Sequence, residues 1–123
     1  MYQERNKKSI TICVPVYNEE KYISIVIKNI SEFIKRTPLK SFFNIDVLII
    51  DDGSTDSSLN TIKVSCEGKS EFKYISKDNN GKGSTLIKAI EISKSDYIVI
   101  HDSDLEYKTN DLDKLFDILK DKN

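Results

Sequence analysis

The segment from Asp102 to Glu106 has the residue types and the spacing of a site for a hard cation. Asp102, Asp104 and Glu106 alternate with other residues, and side chains two positions apart in an extended backbone point the same way. Mg²⁺ and Mn²⁺ prefer oxygen ligands, and substrate phosphates commonly complete their coordination. The segment therefore predicts a divalent-metal site for a phosphorylated ligand. The alternative is a solvated acidic loop that leads into a helix.

Two further polar segments have the residue types of a nucleotide site. Asp51 and Asp52 open an acidic turn, where a carboxylate can accept hydrogen bonds from a base N–H or a ribose hydroxyl. The segment 81–84 (GKGS) opens a predicted helix, so Lys82 can approach a phosphate there. It is not a Walker P-loop, because Ser76 stands at the position of the first glycine. A helix cap and a solvated lysine are the alternatives.

Two aromatic or titratable residues stand next to these segments. Tyr17 follows the first apolar run and can stack on a nucleobase or simply cover the sheet. His101 is the only histidine and directly precedes Asp102. Because Mg²⁺ and Mn²⁺ prefer oxygen, we expect a packed or surface imidazole at His101 and not a metal ligand.

Four pairs of strand and helix must position these segments. Short runs of β-branched residues alternate with stretches whose apolar residues recur every three or four positions, which predicts a Rossmann-like α/β fold with a mostly parallel sheet and flanking helices. The predicted strands cover residues 9–16, 45–50, 72–76 and 96–101. The predicted helices run from an Asn18 cap to residue 37, over 56–64 and 84–93, and onward from an Asn110 cap. In the third helix the predicted inward positions are Leu86, Ile87 and Ile90, and in the last helix one face carries Leu112, Leu115, Phe116 and Leu119.

An acidic segment follows the first, second and fourth predicted strands. In an open α/β sheet, ligands bind beyond the carboxyl ends of the strands, where the direction of winding changes. We therefore predict that the first strand lies between the second and the fourth, so that Glu19 and Asp102 share one edge of the sheet.

The bulk properties exclude several classes of protein. With 19 lysines and arginines against 20 aspartates and glutamates, the net charge of −1 argues against a nucleic-acid binder. Two cysteines are too few for a disulfide scaffold, and Cys13 is expected in the core. No apolar run approaches the length of a membrane span, so a cytoplasmic protein is expected.

Four segments of the chain form a recognisable set, which is 14–20 (VPVYNEE), 51–56 (DDGSTD), 80–83 (NGKG) and 102–107 (DSDLEY). Together they resemble the family 2 glycosyltransferases of the GT-A fold, from residue 10 to about residue 117. The sequences of the third and fourth segments are most similar to those of the dolichyl- and polyprenyl-phosphate mannosyl- and glucosyltransferases.

The resemblance implies a role for each matching residue. Residues after the first strand would line the nucleotide pocket, one aspartate of the 51–52 pair would contact the base, and the segment after the fourth strand would engage the metal and the donor diphosphate. With Lys82 added, the expected nucleotide-sugar site comprises Pro15, Tyr17, Glu19, Asp51, Asp52, Lys82, Asp102, Ser103 and Asp104. The expected ligands of Mg²⁺ or Mn²⁺ are Asp102, Asp104 and Glu106.

The resemblance also implies a reaction, which is inverting transfer of a hexose from a GDP-mannose or UDP-glucose type of donor. A polyprenyl phosphate at the cytoplasmic membrane face is the expected acceptor. Family members continue well beyond the metal segment, so residues 1–123 are expected to be the N-terminal, nucleotide-sugar-binding part, with any base outside it and an open sheet edge that favours self-association. A non-catalytic nucleotide-binding module or an inactive fragment is the alternative. A signalling receiver domain is disfavoured, because its acidic pair follows the first strand.

Overall fold

The computed structural model describes residues 7–103 and 109–121, without the side chains of residues 110, 120 and 121. Its strands are β1 (Lys8–Val16), β2 (Phe43–Asp52), β3 (Phe72–Lys77) and β4 (Tyr97–Ile100). They form one sheet of order β3-β2-β1-β4 in which every neighbouring pair is parallel. The predicted α/β class is confirmed, and so is the predicted position of the first strand between the second and the fourth.

The helices cover both faces of this sheet. The first helix ends one residue before Thr37, which is extended because Pro38 disfavours helical geometry in the residue before it. Short 3-10 turns precede β2 and the last helix, at Pro38–Ser41 and Thr109–Asp111. The α-helices are α1 (Ile23–Arg36), α2 (Ser58–Ser65), α3 (Lys82–Ile92) and α4 (Leu112–Asp121).

Successive residues of β1 serve two separate cores, because side chains alternate across a strand. One set of alternating residues packs in the larger core, together with α1 and α4. Cys13 lies on the other face, in a smaller core with Leu48, Ile50 and Ala89 of α3. Burial raises the pKa of the Cys13 thiol to about 11, which fits its expected role as a small apolar residue. The residues of β1 in the larger core are Ile10, Ile12, Val14 and Val16.

Helix α4 is fixed to the larger core mainly by Phe116. This side chain is fully buried and makes edge-to-face contacts with Phe33, at 5.8 Å between ring centroids, and with Phe43, at 6.1 Å. Leu112 is also buried, whereas Leu115, predicted on the same face of the helix, is 39% exposed. The Asn110 side chain, predicted to cap this helix, lies outside the described part of the chain.

The face that α3 turns toward the sheet is not the predicted one. Thr85 and Ala89 are buried, whereas Ile87 and Ile90 are 60% and 65% exposed and Leu86 is half-buried. Small side chains at positions i and i+4 allow the helix backbone to approach the sheet closely. The prediction was based on which residues are most apolar. In α3, the small size of the side chains determines which face packs against the sheet.

Asn18 does not cap α1, contrary to the prediction. The N-cap position is Tyr22, and Asn18 has a left-handed backbone with φ of 50°. Its side-chain oxygen instead accepts hydrogen bonds from the backbone N–H groups of Thr55, at 2.8 Å, and Asp56, at 3.3 Å. Asn18 therefore caps the loop after β2 and not its own helix.

None of the helices in the described residues combines the length and the apolar character that a membrane span requires. Two of the three predicted metal ligands, Asp104 and Glu106, lie outside the described residues.

Candidate functional site

A cavity of about 210 Å³ lies at the carboxyl ends of β1 and β4. The chain winds outward from β1 to β3 in one direction and then returns to place β4 on the other side of β1. The cavity therefore occupies the position where the direction of winding changes, which is where α/β sheets bind ligands. It is lined by Pro15, Val16, Tyr17, Glu19, Asp52, Lys82, Thr85, Asp102 and Ser103.

Most of the predicted site residues are brought together here. Among those that the structure describes, only Asp51 is missing from the lining, and Val16 and Thr85 are the additions. Thr85 is fully buried and its hydroxyl donates to the Gly81 carbonyl at 3.2 Å. A small polar residue one turn into a helix carries no distinctive sequence signal, so its place in the wall could not be foreseen.

The pairing of β1 with β4 brings two of the predicted segments side by side. Cys13 lies opposite Ile100 in register, and the backbone N–H of His101 donates to the Cys13 carbonyl at 2.9 Å. β4 ends at Ile100 and β1 ends at Val16, so Pro15 and Tyr17 line the cavity together with Asp102. The side-by-side placement follows from parallel pairing, because parallel strands have their carboxyl ends at the same edge.

The loop after β1 is held by hydrogen bonds to the loop after β2. The backbone N–H of Asn18 donates to Ser54 Oγ at 2.9 Å, and that of Glu19 donates to Ser58 Oγ at 2.8 Å. The backbone N–H of Ser57 in turn donates to the Glu20 carboxylate at 3.2 Å. These bonds fix the loop that carries Tyr17 and Glu19 to the cavity. Ser54 and Ser58 are positioning residues that the sequence presents only as turn formers.

Asp52 fixes the turn that precedes α3. Its buried carboxylate forms an ion pair with Lys77 and accepts hydrogen bonds from the backbone N–H groups of Asn80, at 3.1 Å, and Gly81, at 3.0 Å. Burial acts to raise the pKa of Asp52, but the Lys77 ammonium and the two N–H groups outweigh it and hold the pKa below its usual range. Asp52 is therefore charged and holds in place the turn from which Lys82 extends.

Gly53 allows this turn to pack closely against the end of β2. Its φ is +67°, and a Cβ at this position would lie 2.6 Å from the backbone nitrogen of Asn79. The Asn79 side-chain amide also donates to the Asp52 carbonyl at 2.9 Å. A larger residue at position 53 would push the turn away from the sheet and disturb the cavity wall.

Asp51 lies next to Asp52 in sequence but has different surroundings. It is 1% exposed, and its Oδ2 accepts hydrogen bonds from the Ser54 N–H, at 3.3 Å, and the Ser76 hydroxyl, at 3.4 Å. Its Oδ1 has no hydrogen-bond partner among the described residues. Of the two aspartates, only Asp52 is in the cavity wall.

Lys82 and Asp102 form an ion pair across the cavity. Lys82 Nζ lies 2.7 Å from Asp102 Oδ1, and the two side chains are 57% and 42% exposed. Lys82 is the first residue of α3, while Asp102 follows β4. The pair therefore places an ammonium and a carboxylate, both accessible to a ligand, on two different elements.

The described residues at this edge supply part of a ligand set for a hard cation. Asp102 supplies an accessible carboxylate, and Ser103, which is 8% exposed, follows it in the cavity wall. The described residues contain no group of three histidine, cysteine, aspartate or glutamate side chains that could hold a metal. A cation here would therefore need oxygen atoms of a ligand, together with residues beyond Ser103, to complete its coordination.

His101 is a packed imidazole, as expected. It is 1% exposed, with Nδ1 2.7 Å from the Asp102 carbonyl and Nε2 2.9 Å from the Thr109 hydroxyl. Because a carbonyl can only accept, Nδ1 donates to it, and Nε2 shares a hydrogen bond with the Thr109 hydroxyl. Both ring nitrogens thus have partners, and His101 links the end of β4 to the turn before α4.

Comparison with known proteins agrees with this arrangement. A family model described as Glycosyl transferase family 2 matches residues 11–123. The glycosyltransferase GlyG of Streptococcus pneumoniae is 30% identical over 115 residues, which cover 92% of this chain and 36% of the relative. The dolichyl-phosphate beta-glucosyltransferase of Homo sapiens is 30% identical over 112 residues, covering 88% of this chain and 35% of the relative. The chain thus spans about a third of the length of these relatives.

The fold is similar to that of solved glycosyltransferases. The mannosyltransferase PcManGT from Pyrobaculum calidifontis, in complex with GDP-Man and Mn²⁺, superposes with a TM-score of 0.68 and 25% identity, over 80% of this chain and 28% of that one. TarS 1-349 of S. aureus, in complex with UDP, gives a TM-score of 0.64 and 27% identity, over 79% of this chain and 27% of that one. Because the family match extends over nearly the whole chain, it shows that this protein belongs to glycosyl transferase family 2.

Proposed function

We propose that this chain binds the nucleoside diphosphate sugar of a glycosyltransferase, in the cavity between β1 and β4. One observation carries the proposal. The cavity combines an accessible ammonium at Lys82, an accessible carboxylate at Asp102 and a half-exposed aromatic ring at Tyr17, at the position where such sheets bind ligands. These groups match the parts of a nucleoside diphosphate that carry charge and a flat ring.

Each cavity residue has a role in this proposal. The ring of Tyr17 stacks on the nucleobase, and Asp52 or Asp51 contacts the base or the ribose, with Asp52 favoured by its place in the wall. Lys82 contacts the phosphates. Pro15, Glu19 and Ser103 complete the walls around the nucleotide. The cavity is smaller than the roughly 300–1,000 Å³ of typical ligand pockets, so part of the donor extends beyond it.

The accessible carboxylate of Asp102 suits the divalent metal that the family implies. Asp102 would hold it, with Asp104 and Glu106 as the other proposed ligands, and it would be Mg²⁺ or Mn²⁺ because the donors are oxygen atoms. When bound, it neutralises the charge that develops on the diphosphate leaving group. The relatives solved with GDP-Man and Mn²⁺, and with UDP, support a nucleoside diphosphate and a divalent cation as ligands.

The intact protein is proposed to transfer a hexose with inversion. An acceptor oxygen bonds to the anomeric carbon as the bond from that carbon to the diphosphate breaks. The similarity to a dolichyl-phosphate beta-glucosyltransferase supports a polyprenyl phosphate as acceptor. Its oxygen is already anionic and needs no general base. The work of this chain's residues is then to orient the donor and to balance the charge of the leaving group.

Calorimetric titration of UDP and GDP, with Mn²⁺ and with a chelator, tests the proposal. We expect binding that depends on the metal, because a diphosphate and the Asp102 carboxylate repel one another when no cation lies between them. Asp102→Ala should weaken metal-dependent binding by about tenfold or more and leave the fold intact, since the side chain is 42% exposed.

Asp117→Ala is the matched control, because Asp117 is an exposed aspartate on α4 that does not line the cavity. It should bind like the parent chain. Metal-independent binding of equal strength, or an Asp102→Ala variant that keeps the parent affinity, would contradict the proposed site.

A further inference from the structure

The carboxylate of Asp102 already has a cation beside it when neither metal nor nucleotide is bound. Lys82 Nζ lies 2.7 Å from Oδ1, which is direct ion-pair contact. A divalent ion bound to the same oxygen would bring two cations into close contact, and they would repel one another strongly. Metal binding at that oxygen therefore competes with the ion pair.

The charges of the cavity wall leave Lys82 as the group that can move. Among the described residues that line the cavity, Glu19, Asp52 and Asp102 are acidic and Lys82 alone is basic. Asp52 already has Lys77 as its partner, and that pair is nearly buried, with side chains 6% and 12% exposed. The Lys82 side chain is 57% exposed and can exchange its partner without opening the core.

We propose that Lys82 serves as a replaceable cation on Asp102, which leaves the carboxylate to the metal when a nucleoside diphosphate binds and then pairs with the phosphates. This inference rests on the proposed function. In the exchange, the partner of Asp102 changes from the ammonium to the metal, and the partner of Lys82 changes from the carboxylate to a phosphate. Each group keeps a partner of opposite charge, so metal and nucleotide favour one another's binding. Either ligand alone leaves Lys82 or Asp102 without a partner.

The first experiment measures Mn²⁺ binding in the absence of nucleotide, from the free-ion signal in electron paramagnetic resonance. Lys82→Gln should tighten Mn²⁺ binding about two- to fivefold, the range for loss of one exposed ion pair that competes with the metal. Lys88→Gln is the matched control, since Lys88 is exposed on the same helix and its substitution removes the same charge. Lys82→Arg keeps the charge and should tighten Mn²⁺ binding less than Lys82→Gln does.

The second experiment measures UDP and GDP binding with a chelator present. Asp102→Asn should strengthen this metal-free binding in two ways, by removing repulsion and by releasing Lys82 to the phosphates. In a Lys82→Gln background, only the removal of repulsion remains. The gain in nucleotide affinity from Asp102→Asn should therefore be at least twofold smaller. In a Lys88→Gln background, the full gain should persist. Thermal unfolding of each variant checks that the fold is retained.

Equal gains from Asp102→Asn in the parent and Lys82→Gln backgrounds would overturn the inference, and so would Mn²⁺ affinities that do not differ between Lys82→Gln and Lys88→Gln. Failure of the parent chain to bind UDP or GDP with Mn²⁺ present is a different result. It would overturn the proposed function and the inference together. Nucleotide binding with no coupling to Lys82 would overturn the inference alone.

Discussion

At the scale of single residues, Asp51 and Asp52 illustrate how neighbours on a strand take different roles. Side chains alternate across a strand, so the two carboxylates leave the end of β2 in different directions. Asp52 lies in the cavity wall and binds the turn before α3, while Asp51 binds Ser54 and Ser76 away from the cavity. The sequence predicts two equivalent acidic groups, and the assignment of the base contact to either one stays a prediction.

The Asp52–Lys77 pair makes stability depend on pH. Because the folded-state pKa of Asp52 is lowered, its contribution is fully present above the unfolded-state pKa of about 3.9 and is lost as pH falls through the folded-state value. Asp52→Asn should lower the free energy of unfolding at neutral pH by about 3–5 kcal/mol, because it leaves Lys77 without its buried partner. The loss should shrink below about pH 4.

Chemical denaturation of parent and variant at several pH values measures this difference directly. Asp56 and Asp96 also have lowered pKa values, so the parent alone is not informative and the difference between the two proteins is needed. The double change Asp52→Asn with Lys77→Met should recover part of the loss. A destabilisation by Asp52→Asn that is the same at pH 3 and pH 7 would contradict the role of the charge.

The Lys82–Asp102 pair shows which part of the site a sequence does not predict. The two residue types and their motifs are visible in the sequence, and both were expected in the site. Their contact depends on how far the crossover through α3 carries the chain back to β4, which is a property of packing and not of any local pattern. The positioning hydroxyls of Ser54 and Ser58 are hidden for the same reason.

At the scale of elements, hydrophobic periodicity predicts the strands and helices well but not every packing face. The predicted strands agree with the observed ones to within two residues at each end, because β-branched runs are distinctive. In α3, however, the buried face consists of Thr85 and Ala89. Their small size lets the helix lie close to Cys13 and Leu48, and periodicity alone does not reveal how much space a sheet leaves.

Because of this packing, position 89 should tolerate a change of side-chain size far less than position 90. Ala89→Leu should lower the free energy of unfolding by about 1–3 kcal/mol, because the added atoms must enter a filled core. Ile90→Ala removes a large apolar side chain that is 65% exposed, and it should change stability by only about 0.5 kcal/mol. Urea denaturation of the two variants compares them. A larger loss of stability from Ile90→Ala than from Ala89→Leu would indicate that the isoleucine face of α3 is the one that packs against the sheet.

At the scale of the whole molecule, the chain carries the proposed donor-binding residues but spans about a third of the relatives' length. We therefore expect the 123-residue chain to bind nucleotide with Mn²⁺ but to transfer no hexose by itself. Mass spectrometry of GDP-mannose or UDP-glucose incubated with a polyprenyl phosphate tests this, with nucleotide binding as the control for folding. Robust turnover would show that the acceptor also binds here. Association through the open edge of β4 stays a prediction as well.

The sheet order also determines when this site can form as the chain folds. The strands β1 and β2 are near one another in sequence. Thr11 and Asp46, which join them by a hydrogen bond, are 35 positions apart. By contrast, Ser9 and Asp96, which join β1 to the start of β4, are 87 positions apart. Closing the longer loop costs more chain entropy, so β4 is the strand expected to dock last. Since Asp102 follows β4, a folding intermediate with only β1, β2 and β3 paired lacks the proposed nucleotide site, and nucleotide binding is expected to report completion of the sheet.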